Sequence, residues 1–432
     1  MKTFERLESQ VRSYCRSFPV IFETAEGAYL TDVEGRRYID FFAGAGALNY
    51  GHNHPAMKQA IVEYLAKNGV VHSLDMATSA KKTFLERFES VILRPRGLDY
   101  RLQFTGPTGT NAVEAALKLA RRIKLRSNVI AFTNSFHGLS AGSLAVTAGG
   151  SYRHEAYINR CDVAFMPFDR YFGETINTIE YIEKLIAENG SGVDLPAAVI
   201  VETIQAEGGV NVASRQWLRQ LEALCREWDI LLIVDDIQVG CGRTGTFFSF
   251  EQAGIQPDFV VLSKAISGFG LPMSLLLIKP ELDQWQPGEH SGTFRGNNLA
   301  FLTACEALRF WETTQFSQAI EDKSRLLAER LRAIADGHPE LPLSVRGTGL
   351  IYGLEMYDPL LAQATARHAF QDGLLIELSG SKRSVLKFLP PLVISDALLE
   401  EGLDRIGRSI ELVLHRDYQA KSASPTSTVA GN

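Results

Sequence analysis

The chain has 432 residues, of which 45% are hydrophobic and 22% charged, as expected for a globular protein with a large core. Its formal net charge of −6 gives no reason to expect a nucleic-acid partner. The five cysteines are irregularly spaced and form no C-x-x-C pair, so neither a metal site nor a disulfide framework is expected.

The N-terminal part of the chain predicts short strands and a loop. The segment lacks the apolar core of a signal peptide, and runs such as 275–278 are too short to span a bilayer, so we expect a cytoplasmic protein. Residues 28–42 predict two strands that turn at Glu34-Gly35. The two histidines of Gly51-His52-Asn53-His54-Pro55 could suggest a metal, but no third ligand lies nearby, which favours a loop before a helix.

The middle of the chain alternates short apolar strands with amphipathic helices. Residues 214–228, for example, place their large apolar side chains on one helical stripe. The strand candidates have no polar alternation, which is typical of strands covered on both faces. The predicted strands are 100–104, 128–132, 163–168, 197–202, 230–235, 258–263 and 274–279. This alternation predicts a three-layer α/β domain around a mainly parallel, seven-stranded sheet.

The C-terminal third predicts a smaller α+β domain. A long helical region is expected over about 300–335, ended by Gly337-His338-Pro339 and followed by Gly-punctuated strands. The polar, small-residue-rich end of the chain is expected to be disordered. The predicted parts are 1–55 (N-terminal part of the small domain), 56–305 (large domain), 306–418 (C-terminal small domain) and 419–432 (tail).

Two strand ends carry residues that are costly to bury. Lys264 follows an apolar strand, where a Schiff base would remove most of the cost of its charge, although many strand-end lysines simply reach solvent. Asp235 and Asp236 follow five apolar residues. One of these acids could pair with a protonated ring nitrogen and keep a pyridine cofactor electron-poor, or it could cap the next element.

Two glycine-containing segments invite a phosphate interpretation. In Thr105-Gly106-Pro107-Thr108-Gly109-Thr110-Asn111, small residues and hydroxyls at a predicted helix N-terminus suit an anion, or else an ordinary N-cap. Gly240-Cys241-Gly242-Arg243-Thr244-Gly245 matches G-x-G-x-x-G. No amphipathic helix and no strand-end acid follow it, so a dinucleotide fingerprint is rejected.

These segments, in this order, resemble the class III aminotransferases of pyridoxal-phosphate fold type I over about residues 20–415. The further segments that carry the resemblance are Gly51 to Pro55, Phe136-His137-Gly138, Glu207-Gly208-Gly209, Asp235 to Gly245, Ser263-Lys264, Thr293-Phe294 and Pro390-Pro391-Leu392. Within the class, residues 105–114 and 293–298 resemble the diaminobutyrate–2-oxoglutarate aminotransferases, and most of all the branch that begins ectoine synthesis.

The resemblance implies pyridoxal 5′-phosphate as cofactor. Lys264 would hold it covalently and shuttle the proton, Asp235 would bind the pyridine nitrogen and Gln238 the ring hydroxyl. Ile237 and Phe136 would enclose the ring. The residues implied in cofactor binding are Thr108, Gly109, Thr110, Phe136, Asp235, Ile237, Gln238, Lys264 and Thr293.

The phosphate would be held by Gly109 and Thr110, and by Thr293 from a second subunit, which implies a homodimer or higher homo-oligomer with shared active sites. The chain departs from the family at Pro107-Thr108-Gly109-Thr110-Asn111, where Asn-Ser-Gly-Thr-Glu is usual, and at Asp236, where Glu is usual. The phosphate site is expected to survive because it depends on Gly109 and backbone amides.

Lys387 is the third departure, since the family often has arginine there. Glu207 and Lys387 stand at the positions implied to bind substrate. Lysine cannot make arginine's bidentate fork, so we expect the Glu207–Lys387 contact to be absent or weak and another basic residue to hold the glutamate carboxylate.

The reaction implied by the resemblance transfers the amino group of L-glutamate to L-aspartate 4-semialdehyde. The alternatives are another ω-aminotransferase, acting on ornithine, acetylornithine or 4-aminobutyrate, or diaminobutyrate supply for a siderophore. A non-catalytic ligand-binding module of the same fold is a further alternative, against which the presence of Lys264 and Asp235 argues.

Overall fold

The computed structural model describes residues 1–154 and 162–422, with side chains described to residue 415. The strands are β1 Phe22–Glu26, β2 Tyr29–Asp32, β3 Arg37–Asp40, β4 Arg101–Phe104, β5 Val129–Phe132, β6 Val163–Met166, β7 Ala198–Val201, β8 Ile204–Gln205, β9 Asn211–Val212, β10 Leu231–Asp235, β11 Phe259–Leu262, β12 Leu275–Ile278, β13 Ser344–Thr348, β14 Ile351–Glu355, β15 Leu374–Leu375, β16 Glu377–Ser379 and β17 Val385–Phe388.

The α-helices lie between these strands and at both ends of the described chain. They are α1 Lys2–Leu7, α2 Tyr14–Ser17, α3 Ala43–Gly46, α4 Pro55–Ala66, α5 Ser79–Arg87, α6 Gly109–Lys124, α7 Ala141–Ala145, α8 Thr178–Ala187, α9 Arg215–Glu227, α10 Asn298–Leu308, α11 Gln315–Asp336, α12 Pro359–Gln371 and α13 Asp396–Ser422. None of the helices in the described part of the chain is long and apolar enough to cross a membrane.

A seven-stranded sheet in the order β4-β12-β11-β10-β7-β5-β6 forms the centre of the larger part. Only β12 runs antiparallel to its neighbours in this sheet. Alternate residues of one strand enter two different cores: Val129 joins the core beneath α6, and Ile130 joins the core that contains Trp217 of α9. The predicted seven strands and three layers are therefore confirmed, and burial on both faces explains why the five inner strands lack polar alternation, whereas the edge strands β4 and β6 are only partly buried.

The smaller part contains two four-stranded sheets, β1-β2-β3-β15 and β13-β14-β17-β16. The first sheet joins the two ends of the chain, since β3 runs parallel to β15 with Ile39 opposite Leu374. The predicted domain boundaries remain a prediction. Helix α13 reaches Ser422, and the rest of the predicted tail lies outside the described residues.

The helical region predicted over 300–335 consists of two helices rather than one. Helix α10 ends at Leu308 and α11 begins at Gln315, with a 3₁₀ turn over Arg309–Trp311 between them. The break allows Trp311 to pack edge-on against Phe247, with ring centroids 5.4 Å apart, and to donate a hydrogen bond of 2.8 Å to the Tyr50 hydroxyl. Tertiary packing thus overrides helix propensity here.

The G-x-G-x-x-G segment forms a buried turn that a 3₁₀ turn, Ser249–Ala253, follows. The expectation that no amphipathic helix follows it is confirmed. The fully buried guanidinium of Arg243 donates to the Asn49 side chain at 2.6 Å and to the carbonyls of Leu350 at 2.9 Å and Pro390 at 2.5 Å. This turn therefore connects the larger part to both segments that build the smaller part.

Candidate active site

A cavity of about 190 Å³ opens at the carboxyl edge of the central sheet. Because β4, β5, β7, β10 and β11 all point the same way, the residues that follow them meet at this edge. The lining residues are Gly109, Thr110, Phe136, His137, Gly138, Glu202, Glu207, Asp235, Ile237, Gln238, Val239 and Lys264.

Lys264 lies two residues beyond the end of β11 and adopts φ of 52°, an uncommon left-handed conformation for a residue with a side chain. Burial lowers the pKa of its ammonium group, and the carboxylate of Glu207 partly opposes this. A lowered pKa enlarges the fraction of uncharged amine, which is the form that attacks a carbonyl. Strained backbone and a perturbed lysine at one cavity wall are features of a functional site.

Asp235 and Asp236 are adjacent in sequence but have different surroundings. Asp235 ends β10 and lines the cavity, with Oδ2 2.7 Å from His137 Nδ1 and Oδ1 accepting a hydrogen bond of 3.1 Å from the Ile237 amide. Asp236 is fully buried behind the strand and accepts the Ser249 amide at 3.1 Å. Burial raises the pKa of Asp236 to about 7. Of this pair, only Asp235 faces the cavity.

The start of α6 forms the end of the cavity that suits a phosphate. Thr108 is the exposed N-cap of α6, whereas Gly109 and Thr110 line the cavity. The Thr110 hydroxyl lies 2.7 Å from that of Ser140 and also contacts Ser143. Amide groups at the N-terminus of a sixteen-residue helix, together with hydroxyls, suit a phosphate.

Apolar side chains form the walls between the phosphate end and the strand-end residues. Ile237 and Phe136 both line the cavity, and a Cβ on Gly109 would lie 2.7 Å from Ile237 Cδ1. The Phe136 amide donates to Glu202 Oε1 at 3.0 Å. Burial raises the pKa of Glu202 well above its usual value, and the neighbouring Asp235 adds to the rise.

The expectation that the Glu207–Lys387 contact is absent or weak is wrong, because this contact is present and short. Lys387 Nζ donates to Glu207 Oε1 at 2.6 Å and to Gln238 Oε1 at 3.2 Å, and it forms an ion pair with Glu377 Oε2 at 3.0 Å. Burial would lower the pKa of Lys387, but the two carboxylates raise it above its ordinary value.

Burial decides this contact, rather than the difference in shape between lysine and arginine. Lys387 is fully buried on β17, and a buried ammonium group needs counter-ions whatever its shape. Lys387 donates hydrogen bonds to Glu207 and Gln238, and its charge is also paired with Glu377, so it needs no bidentate geometry. Attraction to Lys387 also lowers the pKa of Glu207 to about 2, despite the burial of that carboxyl group.

Gln238 connects this ionic cluster to the cavity. Its amide group donates to Glu207 Oε1 at 3.1 Å and to the Ala45 carbonyl at 2.9 Å. Thr293, by contrast, is exposed and is not among the residues that line the cavity of its own chain.

Three further residues belong to the site without having been assigned a role from sequence. His137 orients Asp235, and Glu202 lines the cavity after β7. Glu202 gives the same signal as Asp235, an acid at the end of an apolar strand, and could have been found. Glu377 could not, because its three-residue strand β16 has no readable pattern and its partner is set by tertiary pairing.

These residues fit pyridoxal phosphate. The lysine amine and Asp235 lie in the same cavity as the helix start, which provides an attachment point, a partner for a ring nitrogen and a phosphate site. A Cβ on Gly138, whose φ is 119°, would lie 2.6 Å from the Thr110 hydroxyl oxygen, so the backbone approaches the phosphate end as only glycine allows.

Comparison with known proteins assigns this site to a family. The model of the family described as aminotransferase class III matches residues 11–410. The diaminobutyrate–2-oxoglutarate transaminase of Wolinella succinogenes is 59% identical over 98% of both chains, and that of Bordetella parapertussis is 58% identical over 97% of both. The ornithine aminotransferase of Toxoplasma gondii is 26% identical with a TM-score of 0.84, covering 96% of this chain and 94% of its own.

Proposed function

We propose, from the premise that this chain belongs to the class III aminotransferase family, that its reaction is the transfer of the amino group of L-glutamate to L-aspartate 4-semialdehyde. The products are L-2,4-diaminobutyrate and 2-oxoglutarate. The observation that carries the proposal is the identity of 59% and 58%, over nearly the whole of both chains, to enzymes named for this reaction.

The chain is an aminotransferase, and its cofactor is pyridoxal 5′-phosphate. When bound, this cofactor provides an electron-withdrawing ring that stabilises negative charge at the substrate carbon. We assign Lys264 Nζ to the removal and return of the proton at that carbon, since it is the amine that lines the cavity. Its lowered pKa makes the uncharged, proton-accepting form accessible.

Asp235 would keep the proton on the ring nitrogen through its negative charge, and His137 would hold that carboxylate in place. Gly109 and Thr110 would bind the phosphate at the start of α6, while Phe136 and Ile237 keep water from the ring faces. Gln238 would reach the ring hydroxyl.

Lys387 would bind a carboxylate of glutamate, and Glu207 would pair with Lys387 when that carboxylate is absent. While no dicarboxylate is bound, Lys387 Nζ lies 2.6 Å from Glu207 Oε1, and the two charges neutralise each other. A glutamate carboxylate could then replace Glu207 on Lys387. The N–H groups of an ammonium group bind separate acceptors, so this exchange does not require the contact to Gln238 to break.

Another ω-aminotransferase activity is the second candidate, because structures of ornithine and N-acetylornithine aminotransferases share the fold at 26% and 27% identity. The identity to the diaminobutyrate enzymes is about twice as high. A panel of amino donors tests the choice: L-2,4-diaminobutyrate, ornithine, N-acetylornithine and 4-aminobutyrate, each with 2-oxoglutarate. A kcat/KM for ornithine or 4-aminobutyrate above that for diaminobutyrate would contradict the proposal.

The chain would act as a cytoplasmic homodimer, most simply in the first step of ectoine synthesis, with siderophore supply as the alternative use of the product. Thr293 supports the dimer. It is exposed and is not among the residues that line the cavity of its own chain, so it is free to contribute to the cavity of a second copy. Sedimentation of the holoenzyme tests the assembly. A monomer at assay concentration would refute it.

A further inference from the structure

Lys387 is paired with two carboxylates, and the second of them has no role in the function proposed above. Strands β16 and β17 are antiparallel, and their register places Glu377 directly opposite Lys387. Nζ lies 3.0 Å from Glu377 Oε2 and 2.6 Å from Glu207 Oε1. The lysine side chain is 0% exposed, and that of Glu377 is 11% exposed, so solvent screens this cluster poorly.

The cluster of Glu207, Glu377 and Lys387 carries one negative charge in surplus when both acids are ionised. One ammonium group cannot compensate two carboxylates, and the third contact of Lys387, to Gln238, is with a neutral amide. Glu377 Oε2 accepts no aligned hydrogen bond within the described part of the chain, so the ion pair with Lys387 is its polar contact. Burial raises the pKa of Glu377, and the attraction of Lys387 opposes this rise.

The surplus charge acts on the place where the substrate reacts. Glu207 lines the cavity together with Lys264, and both Glu207 and Glu377 are close enough to oppose the fall of the Lys264 pKa that burial causes. A charge that is felt at this amine is also felt by a substrate group two carbons away from the reacting atom.

We propose that Glu377 is a specificity-determining residue, which makes this end of the cavity anionic and thereby favours the α-ammonium group of a terminal diamine over the carboxylate of a dicarboxylic acid. The inference rests on the proposed function, whose product carries an ammonium group two carbons from its terminal amine. The α-ammonium group can pair with the surplus carboxylate, and with the carboxylate on the same carbon it leaves this end of diaminobutyrate without net charge, whereas the distal carboxylate of glutamate adds one negative charge.

A carboxylate of glutamate that replaces Glu207 on Lys387 still meets the charge of Glu377, which lies 3.0 Å from Nζ. Glu377 therefore weakens the binding of a dicarboxylate at this lysine and sets the balance between the two substrates.

Steady-state kinetics of Glu377→Gln and Glu377→Asp test the proposal, at about pH 8.5 so that carboxylates are ionised. We expect Glu377→Gln to raise the KM for L-2,4-diaminobutyrate at least about fivefold and to leave unchanged or lower the KM for glutamate. Glu377→Asp keeps the charge and should stay near wild type. Equal changes of KM for both substrates would show a merely structural role and overturn the proposal.

Calorimetric titration of the holoenzyme with glutarate, an unreactive dicarboxylate, gives a readout independent of turnover. Glutarate should bind more tightly to Glu377→Gln than to wild type, and unchanged binding would overturn the inference. Failure of the proposed function is a different result, since wild type would then not use diaminobutyrate, while the glutarate comparison still decides the role of Glu377.

A second pair of variants decides the case if Glu377→Gln does not fold. Lys387→Gln alone leaves two uncompensated acids, and Lys387→Gln with Glu377→Gln leaves one. The double variant should bind glutarate more tightly than the single variant by at least about fivefold. No difference between the two would overturn the proposal.

Discussion

Exchanging Asp235 and Asp236 for asparagine, one at a time, separates two carboxylates that are neighbours in sequence. Asp235 faces the cavity and contacts His137 at 2.7 Å, whereas Asp236 contacts the Ser249 amide behind the strand. Each exchange keeps the shape of the side chain and removes its charge. We therefore expect Asp235→Asn to damage catalysis and Asp236→Asn to change stability.

The catalytic loss in Asp235→Asn follows from its position. An amide cannot hold the proton of the ring nitrogen by charge, and removing one preorganised electrostatic group typically lowers kcat by about 10²–10³-fold. The fold should persist, because asparagine Oδ1 can still accept the Ile237 amide hydrogen bond. The assay is kcat with diaminobutyrate and 2-oxoglutarate, with circular dichroism as the control for folding.

The stability effect in Asp236→Asn depends on pH. Burial raises the pKa of Asp236 from 3.8 to about 7, so the folded protein binds the proton more tightly than the unfolded chain. Stability from this group is therefore full below about pH 4 and falls as pH rises to about 7, by about 4 kcal/mol in all. Asparagine does not titrate, and the thermal midpoint of the variant should fall less between pH 5 and pH 8.

The reverse result would refute this assignment. If Asp236→Asn lost activity while Asp235→Asn kept it within tenfold of wild type, the acid that serves the cofactor would be Asp236. A wild-type midpoint that does not fall over this pH range would instead contradict the raised pKa of Asp236.

Three further variants test other parts of the site. Lys264→Ala should abolish transamination and the visible absorbance of the covalently held cofactor; near-normal turnover would contradict the assignment of this lysine. Lys387→Met should lower the free energy of unfolding by about 3–5 kcal/mol, because two carboxylates lose their counter-ion; thermal unfolding measures it, and an unchanged midpoint would contradict the pairing. Gly109→Ala should release cofactor on dialysis, since a Cβ would lie 2.7 Å from Ile237 Cδ1, whereas full retention would show that the cavity adapts.

The sequence predicted the central sheet because its five inner strands, β5, β7, β10, β11 and β12, are buried on both faces. Uninterrupted Val, Ile and Leu from 230 to 234, followed by an acid, indicate both a strand and the edge at which it ends. The same logic placed Lys264 and Asp235 at one edge, where the structure brings them to one cavity. These predictions depend only on neighbouring residues in the sequence, so they do not require knowledge of the tertiary contacts.

The pairing around Lys387 was not predictable in this way. Its counter-ions come from residues 10 and 180 positions away, and the sequence alone does not specify which buried strands will face each other. Reasoning from side-chain shape predicted a weak contact, but the burial of Lys387 decided otherwise. The break after Leu308 was missed for a similar reason, since the packing of Trp311 depends on distant partners.

The pairing of β3 with β15 means that the first sheet of the smaller part cannot be completed until most of the chain has been synthesised. Leu374 lies 335 residues after Ile39, its partner in the sheet. At about 5–20 residues per second, the ribosome needs roughly 15–70 seconds to deliver it. During that time the β15 side of β3 has no partner strand, and its unpaired backbone groups can pair with another chain. A chain truncated before Leu374 would therefore expose an edge of β3, near its N-terminus, and we expect it to aggregate.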